Sequence, residues 1–281
     1  MGAALLITLR EGIEGALIIS ILLAYLRKLD RQDKAYLIWW GTGLAVAVSV
    51  AVAAVIFVAA AGFEGTGEQL FEGTVSLIAV GVLTWMIFWM RRQGAKVRSE
   101  LQHRVDAALL GGGYALAGLA FVVVLREGVE TALFVFGSDK AAANGSGGTL
   151  AGIIGALVGL CVAAIIGVAI YKGSVKLNVR AFFRVTGGVI LVVAAGLLAF
   201  AVGEFQEAGL LPGFGVIAFD ITGVLPDASG VGAVLHSLIG YRSAPTLLEV
   251  VAWIGYLVGA GYGFFRPHAP AAAPVPTSTA S

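Results

Sequence analysis

The sequence predicts an all-α, polytopic membrane protein with seven transmembrane helices. Three observations carry that expectation. Of 281 residues, 59% are hydrophobic and 12% charged, and the mean hydropathy is +0.94; a soluble domain does not carry so little charge. Seven apolar stretches approach or exceed the ~20 residues that a helix needs to cross a bilayer. Basic residues gather in every second connection, which is how membrane proteins set their orientation.

The expected spans are residues 3–26, 35–62, 70–90, 107–136, 149–171, 182–202 and 246–265. The first is followed by Arg27, Lys28, Arg31 and Lys34, the third by Arg91, Arg92, Lys96, Arg98 and Arg104, and the fifth by Lys172, Lys176, Arg180 and Arg184. The other connections hold Glu64 and Glu68, then Asp139 with Lys140, then the segment 203–245. The amino terminus is therefore expected outside and the carboxyl terminus inside. Segment 203–245 is too long for a hairpin loop. Its apolar pieces fit either a re-entrant segment or an ordinary extracytoplasmic loop. The tail 267–281 is rich in Pro, Ala, Ser and Thr and is expected to be disordered. No cleavable signal peptide is expected, because the first apolar stretch is too long and lacks a basic leader.

Residues 9–19 read LREGIEGALII and residues 125–135 read LREGVETALFV, with seven identities. The copies lie 116 residues apart, on spans one and four. Those spans cross in opposite directions, so spans one to three (about 3–90) and four to six (about 107–202) read as an inverted repeat with span seven added. Transporters use this plan, with the substrate site near the midplane.

Each copy places one arginine and two glutamates where lipid tolerates charge least. Helical positions three and four apart share a face. Glu11 with Glu14, and Glu127 with Glu130, thus form paired carboxylate stripes, with Arg10 and Arg126 four residues before the second acid. Gly12 and Gly128 would let the two helices approach closely. Four converging carboxylates cannot all stay charged and empty; they bind a cation, take up protons, or pair with the arginines. Oxygen-only ligation selects hard or borderline cations. The lone Cys161 and three histidines argue against thiolate or imidazole cages. The bland alternative is a buried packing network in which each arginine neutralises its own glutamates.

Further acids line up with a route for a cation. Glu72 lies near the outer end of span three, and Glu204 and Glu207 are spaced i,i+3 at the outer end of span six. Glu64, Glu68 and Glu249 are weaker candidates for that route. His236 reads as a loop residue. The tryptophans Trp39, Trp40, Trp85, Trp89 and Trp253 read as interface anchors or packing. No phosphate loop, nucleophile triad, cofactor motif or nucleic-acid patch is present, so no enzyme activity is expected.

Twin REGxE motifs on spans one and four of a seven-span chain resemble the oxidase-dependent iron transporters, the family of fungal-type high-affinity iron permeases and bacterial EfeU-type permeases. The resemblance covers about residues 1–266 and is supported by FEGTV at 71–75 and EFQEAG at 204–209. It implies that Glu11, Glu14, Glu127 and Glu130 handle iron, with Arg10 and Arg126 supporting. It also implies iron as transported substrate rather than cofactor, import across the plasma (inner) membrane, and a separate oxidase or periplasmic iron-delivery protein as partner. A homo-oligomer is compatible with the sequence. Rival expectations are a permease for lead or manganese and a membrane metal sensor or structural subunit. A carboxylate-bridged iron oxidase would add a pair of Glu-x-x-His motifs; the sequence has a single such spacing, Glu100 with His103, and no pair.

Overall fold

The computed structural model describes residues 2–93, 97–110, 113–141, 148–172, 179–227 and 230–266. Lys96, Lys176 and the tail 267–281 lie outside the described residues. Among the described residues the chain forms nine α-helices: α1 (Gly2–Lys28), α2 (Ala35–Ala61), α3 (Thr66–Gln93), α4 (Val97–Leu110), α5 (Gly113–Ala141), α6 (Gly148–Tyr171), α7 (Val179–Glu207), α8 (Gly230–Ile239) and α9 (Leu247–Phe265). The β-structure among them is one isolated antiparallel bridge, Ile217 to Thr246.

Five helices are long and apolar enough to cross a membrane: Gln32–Ala61, Thr66–Trp89, Gly152–Tyr171, Arg184–Glu207 and Leu247–Phe265. α1 and α5 are as long, at 27 and 29 residues, but each carries Arg-Glu-x-x-Glu charges midway. Large apolar side chains point outward from the apolar helices, among them Val50 and Val58 of α2, Leu157 and Ile165 of α6, and Val251 and Val258 of α9. Such a belt suits lipid and not water.

Several expected boundaries move. The helix expected as the fourth span starts at Gly113, not at 107. Residues 107–110 close α4, which occupies most of what was expected to be a basic loop. α4 packs through its second half: Val105 and Ala108 join Leu22, Leu26, Ile38 and Leu116 in one buried cluster. The Tyr25 hydroxyl donates to Asp106 at 2.8 Å. Asp139 and Lys140 belong to the end of α5 rather than to a loop, Glu68 to the first turn of α3, and residues 203–207 to α7. The helices therefore run longer than the apolar stretches that predicted them, because they continue into charged ends.

The long segment before α9 folds back against the bundle. Gly240, with φ of +67°, ends α8 and touches Gly196 of α7 so closely that a Cβ there would stand 2.6 Å from the Ile239 carbonyl oxygen. Gly196 lies eleven residues before the end of α7 at Glu207, a drop of ~16 Å at 1.5 Å per residue. Trp253 of α9 donates its indole N–H to the same Ile239 carbonyl at 3.3 Å. The end of α8 thus packs against α7 and α9 within the helix bundle.

Close packing follows small residues. α1 lies along α6, and α2 along α5. In the α1–α6 seam, Gly159 meets Thr8 and the Leu5 carbonyl, Gly12 meets the Ala163 Cβ, and Gly167 meets the Ala16 Cβ. The four-residue steps 8, 12, 16 and 159, 163, 167 advance together, so the helices are parallel. In the α2–α5 seam, Gly41 abuts the Ala117 carbonyl, and Gly128 abuts Ser49. Gly12 and Gly128 therefore serve α6 and α2. They do not provide the approach between the two motif helices that their position suggested.

A branched side chain at Gly159 would strike α1 backbone at the Leu5 carbonyl, 2.6 Å from an added Cβ. Gly159→Val is expected to cost ~1–3 kcal/mol or more and to lower the thermal midpoint in detergent. Gly255→Val, where nothing stands within 4 Å of an added Cβ, should leave it unchanged. Equal midpoints for the two variants would show that the seam does not hold α1 in place.

Candidate functional site

The motif residues sit mid-helix because α1 and α5 continue unbroken through them, and because each charge finds a partner. Arg10 is 2% exposed and spans both acids of its own motif: Nη1 donates to Glu11 Oε1 at 2.9 Å, and Nε lies 3.1 Å from Glu14 Oε1. Arg126 repeats the pattern, with Nη2 2.7 Å from Glu127 Oε1 and Nε 3.4 Å from Glu130 Oε1. Each guanidinium fork thus binds the adjacent acid as well as the i+4 acid expected from helical spacing.

The copies differ in surroundings. The Arg10 Nη1 also approaches the Met86 sulfur of α3 at 3.7 Å, within the closed core. Arg126 is 37% exposed and stands over the Trp89 ring of α3, 5.1 Å from its centroid. The sequence does not single out Met86, and Trp89 reads there as an interface anchor or packing residue. Both sit on one face of α3, three residues apart, which is the signal that could have found them.

The two motifs meet. One carboxylate oxygen from each of Glu11, Glu14 and Glu127 lies within 4.8 Å of the others, and all three residues are buried. Glu130 is buried too. Four carboxylate oxygens there, Glu11 Oε2, Glu14 Oε1, Glu127 Oε2 and Glu130 Oε2, are buried and accept no hydrogen bond, although Glu14 Oε1 is ion-paired with Arg10. Unpaired buried carboxylate oxygens are costly.

The remaining acids fall elsewhere. Glu72 is buried on α3, with Lys140 Nζ of α5 at 2.5 Å; the same ammonium lies 3.6 Å from Glu68. Glu204 packs its Cβ against Gly73, so α7 brings it beside the Glu72 end of α3. Glu207, in the last turn of α7, and Glu64 are exposed. Glu249 has local partners: its carboxylate accepts from Arg242 at 2.6 Å and from the Thr246 N–H at 3.0 Å, and its own N–H donates to Thr246 Oγ1 at 3.2 Å. This is a capping box at the start of α9, legible in Thr-Leu-Leu-Glu at 246–249. His236 is buried in the last turn of α8, with Nδ1 at 2.5 Å from the Tyr241 carbonyl.

A comparison with known families matches residues 1–265 to the iron permease FTR1 family. The chain belongs to the iron permease FTR1 family. The ferrous iron permease EfeU of Escherichia coli O6:K15:H31 (strain 536 / UPEC) is 39% identical over 265 residues, which is 93% of this chain and 94% of that protein. EfeU of Shigella sonnei matches at the same identity and coverage, and EfeU of Yersinia pestis at 39% over 93% of this chain and 92% of its own. No solved structure matches. An FTR1 family permease is a transporter, and this one is a multi-pass membrane protein.

The two arginines should not be equally replaceable. Arg10 is enclosed and spans two buried acids, and removing one partner of such a group costs ~3–5 kcal/mol. Arg10→Ala is expected to fail to accumulate, or to lose most of its thermal stability. Arg126→Ala, at a site open on one side, should be tolerated far better. Matched stability losses in a detergent melting assay would contradict the asymmetry.

Proposed function

We propose that this chain imports ferrous iron across the plasma membrane, and that Glu11, Glu14, Glu127 and Glu130 hold the ion between α1 and α5. One observation carries the reading: buried oxygens from both motifs stand within 4.8 Å of one another. One ion at metal–oxygen distances of ~2.0–2.6 Å spans that separation. Charge favours the divalent state. Guanidinium stays protonated, so four ionised carboxylates against two arginines leave two negative charges. Ferrous iron cancels them; ferric iron overshoots. The ferrous iron named for the EfeU relatives points the same way. Manganese and lead carry the same charge and remain the alternative cargo.

The transport reading also organises the rest of the molecule. α1, α2, α3, α5, α6, α7 and α9 would be the seven spans, with the amino terminus outside. The two seams support an inverted 3+3 repeat, because each motif helix packs along the second helix of the other unit. Iron would enter past Glu72, Glu204 and Glu207, with Glu64 and Glu68 at the outer surface. A separate delivery protein would supply it; the charge balance disfavours an oxidase as supplier, since its product is ferric iron, and no resident cofactor takes part.

The second reading is an arginine-neutralised packing network, favoured by each arginine's contact with its own two acids. Uptake by purified protein separates the two. In proteoliposomes with ferrous iron and a pH gradient, Glu14→Gln and Glu127→Gln are expected to lower initial uptake by more than ~10-fold at matched protein content. Uptake at the wild-type rate in both variants would leave the packing network as the better account.

Orientation has its own test, in a Cys161→Ala background. A cysteine at the exposed position Glu64 should react with an impermeant maleimide applied outside cells. One at the exposed position His103 in α4 should react only after permeabilisation. The reverse pattern would turn the molecule over.

A further inference from the structure

The geometry points to Lys140 as a tethered gate at the outer entrance, where its ammonium holds the place on Glu72 that an incoming divalent cation takes over. This rests on the reading that iron enters from the Glu72 end of the bundle.

Glu72 is a carboxylate with only 8% of its side chain exposed, and such a group needs a counter-charge. Lys140 supplies it from the last turn of α5, at 2.5 Å, with its own side chain 23% exposed. Glu68, one turn outward on the same face of α3, lies 3.6 Å from the ammonium and is 44% exposed. The lysine therefore has a second, wetter acid to move to.

One turn inward from Glu72 on that face is Ser76. Its side chain is buried, and its hydroxyl oxygen has no hydrogen-bond partner. Opposite it stands Gly137 of α5, one turn before Lys140, where an added Cβ would come 3.7 Å from Ser76 Oγ. A buried hydroxyl without a partner is costly; Gly137 sets no side chain against it, and Leu197 of α7 packs beside the pair. Glu68, Glu72 and Ser76 thus offer successive oxygens along α3. Lys140 closes the series between the first two and the third.

The arrangement discriminates by charge. A free monovalent ion brings no more charge than the ammonium, and it competes against a group held permanently at the site by its chain, where effective concentration is high. A divalent ion brings twice the charge and can engage Glu72 and Glu68 together. Lysine suits the task because its charge is compact and its stem flexible; an arginine fork would hold the carboxylate in a fixed geometry.

The deciding measurement does not depend on transport. Purified wild-type protein in detergent is treated with an amine-acetylating reagent, and Lys140 modification is quantified by mass spectrometry. Ferrous ion, kept reduced under anaerobic conditions, should raise Lys140 acetylation several-fold, while sodium at equal ionic strength should not. In Glu72→Gln, acetylation should be high with or without iron. Acetylation that iron leaves unchanged, or that sodium raises equally, overturns the gate.

Kinetics give an independent check. In proteoliposomes Lys140→Gln should lower the KM for ferrous iron by roughly fivefold and make uptake sensitive to external sodium, while Lys140→Arg should raise the KM. An unchanged KM in the arginine variant, which keeps the pair and so the fold, counts against the gate even where the glutamine variant cannot be purified. Failure of the gate leaves the wild-type and Glu14→Gln rates as proposed. Failure of the motif site would instead appear as wild-type uptake in Glu14→Gln, whatever Lys140 does.

Discussion

Burying ionised groups in hydrocarbon is the constraint on which the rest of this structure depends. Four glutamates and two arginines sit in the middle of α1 and α5, at positions where a single charge costs several kcal/mol. The cost is contained locally, since each guanidinium spans both acids of its own motif. It is contained globally by enclosing the charged stripes between other helices, with Met86 and Trp89 of α3 set against the arginines. The apolar faces of α2, α6 and α9 then meet lipid, while the charged helices stay inside. The pairing is incomplete: oxygens of Glu11, Glu127 and Glu130 remain buried without hydrogen bonds.

Packing answers to the same constraint. Lipid tails are as apolar as leucine, so helices associate in a bilayer through close contact and not through the hydrophobic effect. Glycines and alanines are placed accordingly, at four-residue steps in the α1–α6 seam and around Gly41 and Gly128 in the α2–α5 seam. A second cluster, built from Ile7, Leu83, Phe134, Ile190 and Leu197, joins α1, α3, α5 and α7 beside the motifs.

Much of the architecture was legible in the sequence because lipid imposes long apolar runs and punishes stray charge. The repeated LREGxE stripe stood out for that reason, and helical spacing correctly placed Arg10 beside Glu14 and Arg126 beside Glu130. The adjacent pairs Arg10–Glu11 and Arg126–Glu127 were not legible, because they depend on how a long guanidinium bends back. α4 was hidden because its Arg and Glu content reads as a loop unless its apolar face, Val105 and Ala108, is given a partner. Gly12 and Gly128 carried the right signal for close approach but not the partner's identity, which is a tertiary fact. The packing of the end of α8 against α7 turns on Gly240 meeting Gly196, and neither glycine differs on paper from the other thirty-eight. Lys140 read only as part of a connection with Asp139 until α5 proved long enough to carry it to Glu72.

The α1–α6 seam has a mechanical consequence. Thr8 against Gly159, Gly12 against Ala163 and Ala16 against Gly167 are three interlocked points along ~12 Å of parallel helix. Like teeth of a rack, they block sliding along the axis and resist rotation about it. The first motif therefore cannot be raised, lowered or turned on its own. Any displacement that exposes Glu11 and Glu14 to one side of the bilayer carries α6 with it as one lever, and drags that lever's lipid-facing surface through the surrounding membrane.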